Sequence, residues 1–114
     1  MAVNRLWPGL DTITGSVIIV PVIKSFQCRD TEKIWRCELA RRWAVGVRKT
    51  ALRKLTWLDA AKDVNDLRIP PGNRLEKLKG DRAGQYSIRV NDQWRLCFEW
   101  CDGHAWNVEL VDYH

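Results

Sequence analysis

Apolar and polar residues alternate with a period of two along the last third of the chain. Tyr86, Ile88 and Val90 alternate with Ser87 and Arg89. Leu96, Phe98 and Trp100 alternate with Arg95, Cys97 and Glu99, and Trp106, Val108 and Leu110 with Asn107, Glu109 and Val111. An extended chain sends successive side chains to opposite sides, so this pattern predicts three half-buried antiparallel strands. Asn91-Asp92 and Asp102-Gly103, between the runs, suit hairpin turns. Upstream the period changes. Ala51, Leu55 and Leu58 recur at helical spacing with Leu52 adjoining, while Arg48, Lys49, Arg53 and Lys54 fill the remainder. This predicts an amphipathic helix from about Val47 to Ala61. Arg29-Asp30-Thr31-Glu32 has the form of a helix start, with Asp30 or Thr31 able to cap free N–H groups. That charged helix is expected to run to about Arg42, with Gly46 as the break. Val17–Phe26, β-branched and apolar, is expected to be a first strand. Pro70-Pro71-Gly72 ends the helical part, and residues 73–84 form a loop with short extended pieces. The order β-α-α-β-β-β defines a small α+β domain, two helices packed on one face of a twisted, mainly antiparallel sheet.

A chain of 114 residues holds one domain and one modest core, and 46% hydrophobic residues exclude a disordered chain. Trp7-Pro8-Gly9 and Thr14-Gly15-Ser16 are turn chemistry. Residues 1–21 therefore read as an N-terminal extension or as sequence upstream of the functional start, and residues 22–114 as the domain. Six of the seven tryptophans (Trp35, Trp43, Trp57, Trp94, Trp100 and Trp106) fall in the structured region, and most of them are expected to pack in or against the core. The apolar run Ser16–Ile23 is too short to span a membrane and carries Pro21. With no signal peptide in evidence, a cytoplasmic location is expected. Cys28, Cys37, Cys97 and Cys101 contain no CxxC pair and no zinc-finger spacing. They are expected to be reduced and mostly buried, with no metal or cofactor role.

The net charge of +5 is unevenly spread. Residues 29–55 carry nine Lys or Arg against three Asp or Glu, and residues 68–95 seven against three. Residues 96–114 carry four acids and no Lys or Arg. Two basic segments and an acidic end suit a polyanion or an acidic protein partner. By strand parity Arg89 and Arg95 share the face away from the apolar set, and the preceding loop adds Arg74, Lys77, Lys79 and Arg82. An open basic sheet face of this kind is a platform for a single-stranded nucleic-acid backbone. Cleaving RNA needs no metal. A base takes the 2′-OH proton, cations stabilise the phosphorane-like transition state, and an acid protonates the leaving 5′-oxygen. His114, after Asp112-Tyr113, is carried by the last strand to the sheet end, and an imidazole titrates near neutral pH. His104, beside Asp102-Gly103, is expected to be an exposed loop residue. Composition and pattern alone support nucleic-acid contact and leave catalysis by His114 open.

Three stretches carry a resemblance: Asn73-Arg74-Leu75-Glu76-Lys77-Leu78-Lys79-Gly80-Asp81, then Tyr86-Ser87-Ile88-Arg89-Val90-Asn91-Asp92-Gln93-Trp94-Arg95, and the end Val111-Asp112-Tyr113-His114. In this order and spacing they resemble the HigB toxins, the plasmid-maintenance killer proteins of the RelE/ParE superfamily. The resemblance covers about residues 22–114, beginning with Val22-Ile23-Lys24-Ser25-Phe26. It implies a microbial-ribonuclease-like fold and a type II toxin that cuts mRNA in the ribosomal A site and arrests growth. It also implies a HigA-like antitoxin with a helix-turn-helix region, through which the complex represses its own operon. On matching positions, Lys79 and Arg95 would bind the scissile phosphate, Tyr113 and His114 would contact or protonate the RNA, and Asp112 would orient them or serve in acid/base work. Arg74, Lys77, Arg82 and Arg89 would hold ribosomal RNA or the mRNA backbone. Where some members have a catalytic histidine this chain has Glu76, and a carboxylate is ordinarily the weaker base at neutral pH. Either Glu76 or His114 is then the base. Two alternatives share the scaffold: a ParE-like protein that acts on gyrase without catalysis, and a degenerate toxin retained as a co-repressor.

Overall fold

The computed structural model describes residues 21–112. Six elements follow in order: α1 (Arg29–Trp35), α2 (Val45–Ala60), β1 (Glu76–Lys77), β2 (Gln85–Arg89), β3 (Trp94–Cys101) and β4 (His104–Asp112). The four strands form one antiparallel sheet in the order β1-β2-β3-β4. This is the expected α+β arrangement, and β2 to β4 fall where the alternation placed them.

The core lies between the helices and one sheet face. Ala51, Leu55 and Leu58, the predicted stripe of α2, are fully buried against Ile88, Leu96, Phe98 and Val108. Burying a leucine contributes about 2 kcal/mol, so this stripe rather than helix propensity holds α2 in place. Trp43 is buried and meets Trp94 edge to face, with ring centroids 6.0 Å apart. Trp57 and Trp106 stay more than a third exposed; the other four pack in or against the core, as expected for most of the six.

Several boundaries differ from the sequence reading, each for a local reason. α1 stops at Trp35 rather than near Arg42. Cys37 adopts a left-handed conformation (φ 60°), and the N–H groups of Cys37 and Glu38 close back on the carbonyls of Ile34 and Lys33. Neither Asp30 nor Thr31 caps α1, whose N-cap is Cys28. Thr31 is buried instead, and its hydroxyl accepts a hydrogen bond from the Leu110 N–H at 3.0 Å, joining α1 to β4. Gly46 lies in the first turn of α2 and breaks nothing. Two 3₁₀ turns, Val64–Arg68 and Pro71–Asn73, occupy the stretch before the loop.

The expected first strand reduces, in its described part, to two isolated parallel bridges, Ile23 with Ala105 and Phe26 with Val108. The interruption lies on β4. The β3–β4 register shifts between Cys97 and Glu99, and Asn107 takes φ 54°. This bulge turns Ala105 inward and Trp106 outward, reversing the phase that the alternation assigned to Trp106. Ser25 occupies the bulge, its Oγ accepting from the Asn107 N–H at 2.8 Å.

The segment before α1 is anchored by Asp59 near the end of α2. Its Oδ1 accepts from the N–H groups of Val22 at 2.9 Å and Ile23 at 3.0 Å. Asp59→Ala leaves both donors to water or to nothing, and an expected loss of about 1–3 kcal/mol follows. Urea unfolding of the variant checks it; an unchanged midpoint would mean that the two parallel bridges hold the segment alone.

The second sheet face is not the open surface expected. Ser87, Arg95 and Cys97 are buried there, and Leu78 of the β1–β2 loop is buried as well. The cysteines are free, as expected, but only Cys97 is buried; Cys37 and Cys101 are exposed. His104 is half-buried, with its Nδ1 enclosed and unpartnered, rather than loop-exposed.

Candidate active site

The site forms where the β2–β3 hairpin meets the loop of residues 69–76. Asn91 shapes the hairpin: its Oδ1 accepts from the N–H groups of Gln93 and Trp94, both at 2.8 Å. This turn sets Arg89 directly across from Arg95. Like charges in that relation repel, so each guanidinium needs its own partners. Arg89 turns outward to the carboxylate of Asp92.

Arg95 turns inward and is only 7% exposed. Its Nε donates to Ser87 Oγ at 2.7 Å, and one terminal nitrogen donates to the carbonyl of Arg74. Glu76 Oε1 lies 3.8 Å from the same nitrogen. Ser87 is itself fully buried, which fixes the hydroxyl that holds Nε. Arg74 takes a left-handed conformation (φ 46°, ψ 58°) at the end of the Pro71–Asn73 turn. A planar guanidinium held at two of its donors cannot swing, so its direction is set before any ligand arrives.

Arg95, Arg89 and Arg74, with Glu76, Asp92, Asn91 and Gly72, line an open cleft of about 550 Å³. Three arginines lining one cleft favour an anion, and the two acidic residues beside them can accept protons or donors. Beside the cleft, burial pushes the Cys97 thiol pKa up. Among the described residues, no three His, Cys, Asp or Glu side chains come together to hold a metal ion.

The structure therefore brings together four of the residues expected from sequence: Arg74, Glu76, Arg89 and Arg95. Asp112 ends β4 opposite Trp94, the neighbour of Arg95, and its carboxylate accepts from Gln93 Nε2 at 3.1 Å. It shares the sheet end with the cleft without lining it. Three expected cations stand apart. Lys77 pairs with Tyr86, on the opposite face of β1 from Glu76. Lys79 is exposed at the start of the Gly80–Arg82 turn. Arg82 is held by Gln85 Oε1 at 2.9 Å and by Glu109 at 3.5 Å. Tyr113 and His114 lie outside the described residues. Asn91, Asp92 and Gly72 were legible only as turn residues, and nothing local marked them as cleft walls.

An antiparallel sheet with two helices on one face, and a cationic cleft at the end of its central hairpin, defines a small α+β domain with an anion-binding site. The YoeB–YefM complex from Staphylococcus aureus contains a chain of this fold. The match covers 81% of this chain and 94% of that one, with a TM-score of 0.54 and 22% identity. The family model of HigB-like toxins, described as the RelE-like toxin of the type II toxin–antitoxin system HigB, matches residues 25–114, and the chain belongs to this family. Toxin HigB-1 of Vibrio cholerae serotype O1 is 55% identical over 64 residues, which are 56% of this chain and 67% of that protein. Endoribonuclease HigB of Proteus vulgaris is 36% identical over 61 residues, 54% of this chain and 65% of the relative. The aligned part thus spans about two thirds of these relatives.

Proposed function

We propose that this chain is the toxin of a type II toxin–antitoxin pair and acts as an endoribonuclease on mRNA in the ribosomal A site, arresting translation and growth. The observation that carries the reading is Arg95: a buried guanidinium, locked by Ser87 and the Arg74 carbonyl, at a cleft shared with Arg74, Arg89 and Glu76. The name of the Proteus vulgaris relative points the same way.

The chemistry follows from that arrangement. The 2′-oxygen attacks the adjacent phosphorus as its proton passes to a base, Glu76 or His114. Negative charge builds on the non-bridging oxygens, where Arg95 supplies charge and hydrogen bonds that need no rearrangement. The bond to the 5′-oxygen breaks as an acid protonates it, leaving a 2′,3′-cyclic phosphate and a 5′-hydroxyl. Where Glu76 is the base, His114, two residues beyond the end of β4, is the group suited to hand over that proton, with Asp112 orienting it. The mechanism runs on side-chain acid/base chemistry without a metal. Arg74 and Arg89 hold the backbone in the cleft. Lys77, Lys79 and Arg82, outside it, fit contact with ribosomal RNA.

The neutralising partner is a HigA-like protein with a helix-turn-helix region, and operator DNA is reached through it. Induction of the chain in growing cells tests the proposal. Growth arrest with truncated mRNAs is expected, relieved by co-expression of such an antitoxin. Arrest with intact mRNA would point to a protein target instead, and absence of arrest to a co-repressor without catalysis.

The separation of Lys79 from the cleft makes a further expectation. Lys79→Ala should leave the rate at saturating mRNA-programmed ribosomes within about twofold of wild type, yet raise the ribosome concentration needed and weaken its salt dependence. A large loss of rate at saturation would return Lys79 to the scissile phosphate.

A further inference from the structure

Lys54, in the middle of α2, belongs to none of the roles above. It is only 7% exposed, and no carboxylate pairs with it among the described residues. Lysines are seldom buried without a partner of opposite charge. Here the ammonium lies 4.8 Å from the ring centroid of Trp57, one turn further along the helix. Its hydrogen-bond acceptor is Asn73 Oδ1, at 2.5 Å. Burial pushes the lysine's pKa down, and the nearby guanidinium groups of Arg53 and Arg89 push it the same way.

Asn73 is fully buried, with both polar atoms of its side chain and its backbone N–H engaged. Its Oδ1 takes the lysine, its Nδ2 donates to the Leu67 carbonyl at 3.1 Å, and its N–H donates to the Pro70 carbonyl at 2.9 Å. It is the post on which the Pro71–Asn73 turn stands. The next residue is Arg74, whose left-handed conformation aims its carbonyl at the Arg95 guanidinium. A continuous chain of contacts therefore runs from α2 to the floor of the cleft. Lys54 lies behind Asn73 and lines no part of the cleft itself.

We propose that Lys54 is a positioning residue: through Asn73 and the Arg74 carbonyl it sets the aim of Arg95. This rests on the RNA-cleaving reading for its effect on rate, but not for its effect on Arg95. The contact is kept although an uncompensated buried ammonium costs the fold stability. Removing the charge relieves that cost but strands Asn73 Oδ1, so the net change in stability should be small while the guanidinium loosens. A residue that merely packs would give the opposite pattern.

The test is a double-mutant cycle with Lys54→Met, Arg95→Ala and the pair, on an RNA that wild type cleaves. Lys54→Met alone should lower kcat by about tenfold or more with little change in KM, because a misaimed group costs rate before it costs binding. In the Arg95→Ala background the same change should alter the rate by less than about twofold, since coupled residues do not add. The melting temperature should change little, and the Arg95 Nε–H should exchange with solvent faster by NMR. If Lys54→Met does not fold, Lys54→Gln, which retains an N–H donor, carries the same measurements. An unchanged rate in Lys54→Met, or equal losses in both backgrounds, overturns the proposal; so does a rate loss that follows a lowered melting temperature. RNA left uncut by wild type sinks the RNA-cleaving reading alone. Arg95 Nε–H exchange then decides the positioning role: faster in Lys54→Met upholds it, unchanged overturns it.

Discussion

Arg95→Ala is expected to lower the rate of RNA cleavage by about a thousandfold, the upper range for removing a preorganised donor to a developing oxyanion. The size of the effect follows from anchoring. Ser87 Oγ and the Arg74 carbonyl hold the guanidinium before substrate arrives, so its orientation costs nothing during reaction. The substitution also strands those two acceptors, at about 1–3 kcal/mol of stability. Rates are therefore compared at a temperature where both proteins are folded. Arg95→Lys should rescue little, because one ammonium cannot reproduce a fork that meets Ser87 and Arg74 together. A rate within about tenfold of wild type for Arg95→Ala would remove the guanidinium from the transition state.

The second large effect concerns the chain end. β4 delivers Asp112 to the end of the sheet that carries the cleft, and His114 is two residues further on. If its imidazole transfers a proton at the scissile bond, a peptide tag fused after it adds bulk where RNA must pass. Cleavage by a C-terminally tagged form should fall by about a hundredfold, the typical contribution of a general acid or base, while an N-terminal tag leaves it unchanged. His114→Ala should match the C-terminal tag. Toxicity titrated against inducer, together with cleavage rate, checks both. Equal activity of the two tagged forms would transfer the proton chemistry to Glu76.

The parts of the fold legible in the sequence are those set by local periodicity. Ala51, Leu55 and Leu58 announce α2, and the alternation of residues 86–100 announces β2 and β3, because burial on one side needs only a regular period. What was hidden depends on distant partners. The Asn107 bulge is seated by Ser25, 82 residues away, so no window around Trp106 could show that it faces outward. Arg95 falls at a polar position of its strand and reads as solvent-facing. It is buried because Arg74 and Ser87 provide acceptors and the loop of residues 73–84 folds over it. Lys54 read as one more cation on the polar side of α2, and only the folded Pro71–Asn73 turn shows what its ammonium holds. The site followed the same rule. Arg74, Glu76, Arg89 and Arg95 meet at one cleft, whereas Lys79, joined to Arg95 by the resemblance, and Lys77, named from the same loop, do not line it: Lys77 falls on the other face of β1 from Glu76, and Lys79 lies past that strand.

Cleavage of mRNA during translation by a cleft built on Arg95 can be read from the RNA ends themselves. A defined mRNA is incubated with purified protein, with and without translating ribosomes, and the new ends are mapped. Discrete cuts are expected inside the open reading frame, only during translation, leaving 2′,3′-cyclic phosphates and 5′-hydroxyls, and lost with Arg95→Ala. Intact mRNA in a reaction where the same protein still blocks growth of cells would contradict this reading.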